Sequence, residues 1–266
     1  MVRRVASRTL RTFLSLLPGQ TRRDLFRVVY RHTDPGYRQS FEFATAEGAL
    51  TNAKDNGFRP SAIIDVGAHI GDWSRMARRI FPNPPIFMLD ANPENELSLL
   101  HAAGELGGKH SIHCLGAEAK NTVTFYQLST GSSVLPELTG ITANSIEIPM
   151  TTLDTVLQTE NLAAPLLLKL DVQGFELEVL RGGRKTMEQA ELILLELATL
   201  PYNEGAPLFA EVIAFMDQAG FAVYDFGGQF RRQSDQALFQ IDVLFARKES
   251  QLRGSRKFWS EPEKEV

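Results

Sequence analysis

The sequence predicts an α/β fold, a doubly wound, seven-stranded and mostly parallel sheet with a helical cap at the N-terminal end. Three observations predict it. From residue 62 onward, short apolar runs alternate with amphipathic segments, the pattern of strands and covering helices in a layered sheet. The first apolar run passes into a glycine turn and then a helical pattern. The chain of 266 residues, 43% apolar and 23% charged, is also long enough to bury a sizeable core.

Residues 1–60 carry eleven Lys or Arg against five acids, a balance of +6, whereas the remainder carries seventeen against twenty-seven, a balance of −10. Arg4, Arg8 and Arg11 fall on one side of a projected helix and Leu10, Phe13, Leu14 and Leu17 on another, which makes a basic amphipathic helix. Pro18-Gly19 ends it, and Thr21 caps a second helix over 22–32. The apolar stretch 13–17 is too short for a secretory core and no small-x-small pattern follows. The segment 1–60 is therefore expected to be a helical cap, with peripheral membrane or partner contact through residues 1–31, or targeting, as the alternatives.

The strands are expected at 62–66, 85–89, 110–115, 165–170, 191–197, 222–225 and 241–246, with helices at 73–80, 93–104, 175–188 and 207–219. Residues 61–247 then form the main domain, and the charged tail 248–266 is expected to be loosely ordered. Between the third and fourth strands lies an insertion with an extra strand pair at 123–128 and 146–153 around a Gly-Ser-Ser loop. It is the place to look for an acceptor-specific feature. The acidic body argues against a nucleic-acid partner, because neutralising phosphates needs a basic face. No apolar run approaches the roughly eighteen residues of a membrane span. Cys114 is the single cysteine, which excludes an internal disulfide and a cysteine-built zinc cluster. A reducing, cytoplasmic home is the expectation.

The chemistry is concentrated at strand ends. Ile63-Ile64-Asp65-Val66-Gly67-Ala68-His69-Ile70-Gly71 is a strand, a glycine turn and a helix start. Gly67 permits a tight turn and Gly71 a close helix approach, and the free N–H groups there suit a nucleotide-like ligand. A carboxylate inside the turn, Asp65, opposes a pyrophosphate but suits the sulfonium and α-ammonium of S-adenosylmethionine. A plain capping aspartate is the alternative. Asp90, with Ala91 and Asn92, follows the second strand where an acid accepts from ribose hydroxyls. Taken alone it is equally a cap before Pro93. No ligand set for a metal stands out.

At the fourth strand stands Leu168-Lys169-Leu170-Asp171-Val172-Gln173-Gly174-Phe175-Glu176, followed by Leu177-Glu178-Val179-Leu180-Arg181-Gly182-Gly183. Together with the first motif it resembles the FkbM-type family of S-adenosylmethionine-dependent methyltransferases, whose members share I-D-V-G-A-N-x-G and K-I-D-V-E-G-x-E-x-x-V-L-x-G segments. The resemblance covers about 62–197 and includes Gly131-Ser132-Ser133 and Thr152-Leu153-Asp154. His69 stands where the family usually has Asn, Asp90 where it often has Glu, and Gln173 where Glu is common.

The resemblance implies a class I methyltransferase fold with S-adenosylmethionine held by Asp65, Gly67, Ala68, His69, Gly71, Asp90, Ala91, Asn92, Gly116, Ala117 and Asp171. It also implies methyl transfer to a hydroxyl oxygen of a small-molecule, sugar or glycan acceptor. Asp171, at the end of the fourth strand, is the first candidate for the base and Glu196, ending the fifth, the second. Helix capping is the alternative for Asp171, and an ion pair with Lys169 is the alternative for Glu196. Ser132, Ser133 and Tyr202, with Asn203, are the candidate acceptor contacts, each also explicable as a turn residue. A nicotinamide-dependent oxidoreductase and a non-catalytic cofactor-binding module are the other readings, and the oligomeric state is left open.

Overall fold

The computed structural model describes residues 45–255. In chain order the elements are α1 (Ala46–Asp55), β1 (Ala62–Val66), α2 (Asp72–Ile80), β2 (Ile86–Asp90), α3 (Glu96–Leu106), β3 (Lys109–Ile112), β4 (Cys114–Leu115), β5 (Lys120–Gln127), β6 (Asn144–Thr151), α4 (Leu153–Leu157), β7 (Leu166–Leu170), α5 (Glu176–Arg181), α6 (Arg184–Gln189), β8 (Ala190–Ala198), α7 (Phe209–Gln218), β9 (Phe221–Arg231) and β10 (Leu238–Arg247).

The main sheet runs β3-β2-β1-β7-β8-β10-β9. The first five strands are parallel and β10 is antiparallel to both its neighbours. This is the expected α/β class, with the strand order reversing between β1 and β7. Every residue of β1, β2 and β7 is buried. Their runs lack polar alternation because helices cover both faces. On one face Ile64, Val66, Leu168, Leu170, Ile193 and Leu195 share a core with residues of α4, α5, α6 and α7; on the other, Ile63, Met88, Leu167, Leu192 and Leu194 pack with residues of α1, α2 and α3. Truncating a central residue such as Leu168 to Ala should cost about 2–5 kcal/mol, since the helical layer packed on that face would have to close on the hole.

Four elements differ from the sequence expectation. The run 110–115 divides, because His113 N–H donates to Asp90 O at 2.7 Å and the chain then leaves the main sheet. β4 joins a separate three-stranded sheet, β4-β6-β5. The helix expected at 175–188 breaks at Gly182-Gly183. A Cβ on Gly182 would lie 2.0 Å from Gly116 O, so the backbones touch there and α5 and α6 turn around the contact. The strand expected to end at Leu153 stops at Thr151, where the Thr152 hydroxyl caps α4 by accepting from Thr155 N–H at 3.2 Å. Finally α1, inside the segment assigned from sequence to the cap, buries Ala49, Leu50 and Ala53 in the sheet's core. The helices expected before residue 33 and the tail after residue 255 lie outside the described residues, while the tail's beginning folds as a 3₁₀ turn, Gln251–Arg253.

Candidate active site

The glycine turn gathers three strand ends. Gly67 and Ala68 N–H donate to Leu89 O at 2.8 and 3.1 Å. Gly67 has φ +72°, and a Cβ there would fall 1.8 Å from Asp171 O; only glycine lets the turn lie against β7. His69 takes φ +50°, the left-handed region that Asn tolerates well, and its N–H donates to Asp90 Oδ2 at 2.7 Å. Asp90 Oδ1 accepts from Asn92 N–H at 2.8 Å and from Asn95 Nδ2 at 3.1 Å. Asp90 thus fixes the turn after β1 and the turn after β2, leaving Oδ2 with one partner.

A cleft of about 300 Å³ opens over these strand ends. Gly67, Ala68, His69, Asp90, Ala91, Ser132, Ser133 and Asp171 line it, as do Trp73, His113, Cys114, Leu115, Phe125 and Val134. Four of the expected contacts are placed elsewhere. Gly71, at φ +84°, packs against α3, where a Cβ would be 2.7 Å from Ala102 Cβ. Asn92 caps the turn after β2 and accepts from Gln127 Nε2 at 2.8 Å. Gly116 and Ala117 stand off the cleft, because Gly116 is pressed against Gly182 and Met150; the preceding residues, His113 to Leu115, form that wall instead. Ser132 and Ser133 reach the cleft, but their hydroxyls serve the backbone. Ser132 Oγ donates to Ser129 O at 2.9 Å, and Ser133 Oγ donates to Gln173 O at 3.0 Å, tying the insertion to the turn after β7.

Asp65 also departs from expectation. Strand alternation turns it under the turn, fully buried, on the same face as Ile63. Ser74 Oγ donates to its Oδ2 at 2.7 Å, and Lys169 Nζ stands 3.1 Å from its Oδ1. Lys169 also donates to Gly67 O at 2.8 Å and lies 3.7 Å from Asp171 Oδ2. Burial alone would lower the Lys169 pKa, but the carboxylates of Asp65, first, and Asp171 outweigh it and hold the ammonium above its ordinary value. Asp65 is therefore paired with Lys169 inside the protein and is not among the residues that line the cleft.

Beyond Asp171 lies a second cavity of about 550 Å³, walled by Leu128, Ile141, Phe230 and Phe239, with Glu137, Gln173, Glu196, Tyr202, Asn203 and Gln240 on its polar side. Asp171 and Thr130 line both cavities. The junction is built around one amide. Gln173, at φ +54°, donates from Nε2 to Asp171 Oδ1 and to Glu196 Oε2, each at 2.7 Å. Gln240 Nε2 donates to Glu196 Oε2 at 2.7 Å and to the Tyr202 hydroxyl at 2.6 Å. Burial, with Asp171, Asp242 and Glu176 nearby, pushes the Glu196 carboxyl up to about 9, so it keeps its proton near neutrality. Of the expected acceptor contacts, Tyr202 and Asn203 line this second cavity. Gln240 and Glu137 were not expected; a glutamine and an aspartate, Asp242, inside the largely apolar strand β10 were the available signal.

The profile of the Methyltransferase FkbM domain matches residues 65–223, from the β1 turn into β9. The chain belongs to that family. That family is one of S-adenosylmethionine-dependent methyltransferases. Among solved structures it is similar to the methyltransferase FkbM from Methylobacillus flagellatus KT, at 13% identity and a TM-score of 0.42 over 69% of this chain and 43% of that one. It thus spans less than half of that protein's length. It is also similar to magnesium protoporphyrin IX methyltransferase from Synechocystis PCC 6803, at 11% identity and a TM-score of 0.43 over 75% of this chain and 76% of that one. The precorrin-6y C5,15-methyltransferase from Geobacter metallireducens GS-15 has 14% identity and a TM-score of 0.41 over 78% of this chain and 94% of that one. No curated protein matches the chain. Among the described residues no helix is long and apolar enough to cross a membrane, and no cluster of three or more His, Cys, Asp or Glu side chains is arranged to hold a metal ion.

Proposed function

We propose that the protein transfers a methyl group to a hydroxyl oxygen of a sugar, glycan or natural-product small molecule, with Asp171 as the base. The observation that carries this reading is the position of Asp171 on the walls of both cavities. A donor in the first and an acceptor in the second would meet at its carboxylate.

The first cleft fits S-adenosylmethionine on its own chemistry. Its ionisable lining comprises Asp72, Asp90, Asp171, Lys169, Cys114 and two histidines. Because the Lys169 ammonium is already engaged by Asp65 and Gly67, no free cation awaits a pyrophosphate, and the carboxylates suit a sulfonium and an ammonium. Trp73 Nε1 is a buried donor without a partner, the kind of group a carboxylate tail would satisfy. Asp90, with a free lone pair on Oδ2, would accept from a ribose hydroxyl. Leu89, Leu115, Phe125 and Val134 would cover apolar parts of the nucleoside.

S-adenosylmethionine supplies a methyl group made electrophilic by a positive sulfur. The chain's part is to align the acceptor and take its proton. Alignment of the reacting groups provides much of the acceleration in such a displacement, and a carboxylate within reach of the hydroxyl adds to it. Asp171 is suited to that role because its Oδ1 is oriented by Gln173 and its Oδ2 faces Lys169. Glu196 holds a proton and serves better as a neutral hydrogen-bonding neighbour than as a second base. Ser132 and Ser133 act as struts for the insertion, and Tyr202 contributes to the acceptor wall. Cys114, pushed up to about 12 by burial, is not a nucleophile at neutral pH.

The test is product chemistry. The full chain, given isotope-labelled S-adenosylmethionine and a library of hydroxyl compounds, should deposit label as methyl ethers. Label recovered on nitrogen or carbon alone would contradict the proposal.

A further inference from the structure

The second cavity contains a demand that the protein does not itself meet. Glu137 and Asn203 face each other as an isolated antiparallel bridge, secured by Leu138 N–H donating to Tyr202 O at 2.7 Å and Glu204 N–H donating to Pro136 O at 2.8 Å. Glu137 Oε1 accepts from the Thr139 hydroxyl, and Asn203 Nδ2 donates to Gln173 O. Their other atoms, Glu137 Oε2 and Asn203 Oδ1, are buried and have no hydrogen-bond partner. Asn203 as a whole is 2% exposed. Both residues line the cavity next to Asp171.

Two orphaned oxygens can be satisfied only by donors, because neither a carboxylate nor an amide oxygen can offer a proton. The acids lining the cavity are Glu137, Asp171 and the proton-holding Glu196, and no Lys, Arg or His lines it. An anionic ligand would lose its hydration without gaining a countercharge, while a hydroxyl or amine would meet ready acceptors. The apolar wall of Phe230 and Phe239 offers a flat surface to the nonpolar face of a ring.

We infer that Glu137 and Asn203 form the specificity end of the acceptor site. They select a neutral or amine-bearing polyhydroxylated ring and reject uronic, phosphorylated and sulfated ones. The inference rests on the methyl-transfer reading above and deepens it. Discrimination of this kind is strong when a site's buried polar groups go unpaired with the wrong ligand.

The test uses the full chain saturated with S-adenosylhomocysteine, so that no chemistry intervenes, and titrates three probes by calorimetry: octyl β-D-glucopyranoside, its glucosamine counterpart and its glucuronic acid counterpart. The neutral and amine probes should bind about tenfold or more tightly than the uronic acid. Glu137→Gln should narrow the amine-over-uronate preference by about tenfold while leaving the affinity for S-adenosylhomocysteine and the thermal midpoint unchanged. Equal binding of all three probes, tighter binding of the uronic acid, no binding of any probe, or an unaltered preference in Glu137→Gln would each overturn this inference alone. Failure of S-adenosylhomocysteine to bind at all would overturn the methyl-transfer reading and this inference with it.

Discussion

Lys169 and Asp65 are partners across adjacent strands: they sit opposite each other in the parallel register of β7 and β1, with Lys169 Nζ 3.1 Å from Asp65 Oδ1. Asp65 is wholly buried and the Lys169 side chain is 7% exposed. Removing Asp65 leaves the buried Lys169 ammonium with only Gly67 O and the more distant Asp171 carboxylate. Asp65→Asn should destabilise the protein by about 3–5 kcal/mol, measured by urea unfolding, and Asp65→Leu combined with Lys169→Met should recover much of it. An Asp65→Asn protein with unaltered unfolding would show that the pair does not hold the sheet together.

Glu196 makes stability depend on pH in a direction opposite to that of an acid whose pKa folding lowers. Its folded-state pKa is raised from 4.5 to about 9, first by burial and then by Asp171 and Asp242. Between those values the folded chain keeps a proton that the unfolded chain has released. Stability from this group is present below pH 4.5 and is lost as pH rises toward 9, with a limiting slope of about 1.4 kcal/mol per pH unit. Glu176 and Asp242, raised to about 7 and about 6 chiefly by burial, add to the slope at lower pH. Glu196→Gln should flatten the decline between pH 7 and 9 in unfolding measurements at stepped pH; a mutant profile parallel to the parent's would refute the assignment.

Asp171→Asn keeps the shape of the side chain and removes the proton acceptor. Turnover should fall by about a hundredfold or more, while the affinity for S-adenosylhomocysteine changes little. A rate near that of the parent would exclude Asp171 as the base.

Gly67→Ala brings a Cβ to 1.8 Å from Asp171 O at a φ of +72°. The turn cannot yield without moving the end of β7. Both thermal stability and cofactor affinity should drop together, and calorimetry with a melting curve on the same sample checks it. Normal affinity would mean that the turn adapts more easily than its contact allows.

The sheet was largely legible because β1, β2 and β7 are apolar runs bounded by glycine or aspartate and β8 carries the apolar run 192–195, and Gly67, Asp90 and Asp171 announce themselves at strand ends. The facing of a residue within a fully buried strand was not legible. Nothing in Ile63-Ile64-Asp65 says which helical layer the carboxylate meets, so Asp65 read as a ligand contact when it is an internal ion pair. Backbone contacts were equally silent: the Gly116–Gly182 touch that splits α5 from α6, and keeps Gly116 off the cleft, joins positions far apart in the chain. The Glu137–Asn203 bridge was hidden for the same reason, one member lying in the insertion and the other in the loop after β8.

The most direct measurement is calorimetric titration of the full chain with S-adenosylhomocysteine and, separately, with NAD. Saturable one-site binding of S-adenosylhomocysteine, undisturbed by an excess of NAD, is the predicted result. Heat from NAD alone, or none from either ligand, would contradict a cleft shaped for a sulfonium nucleoside.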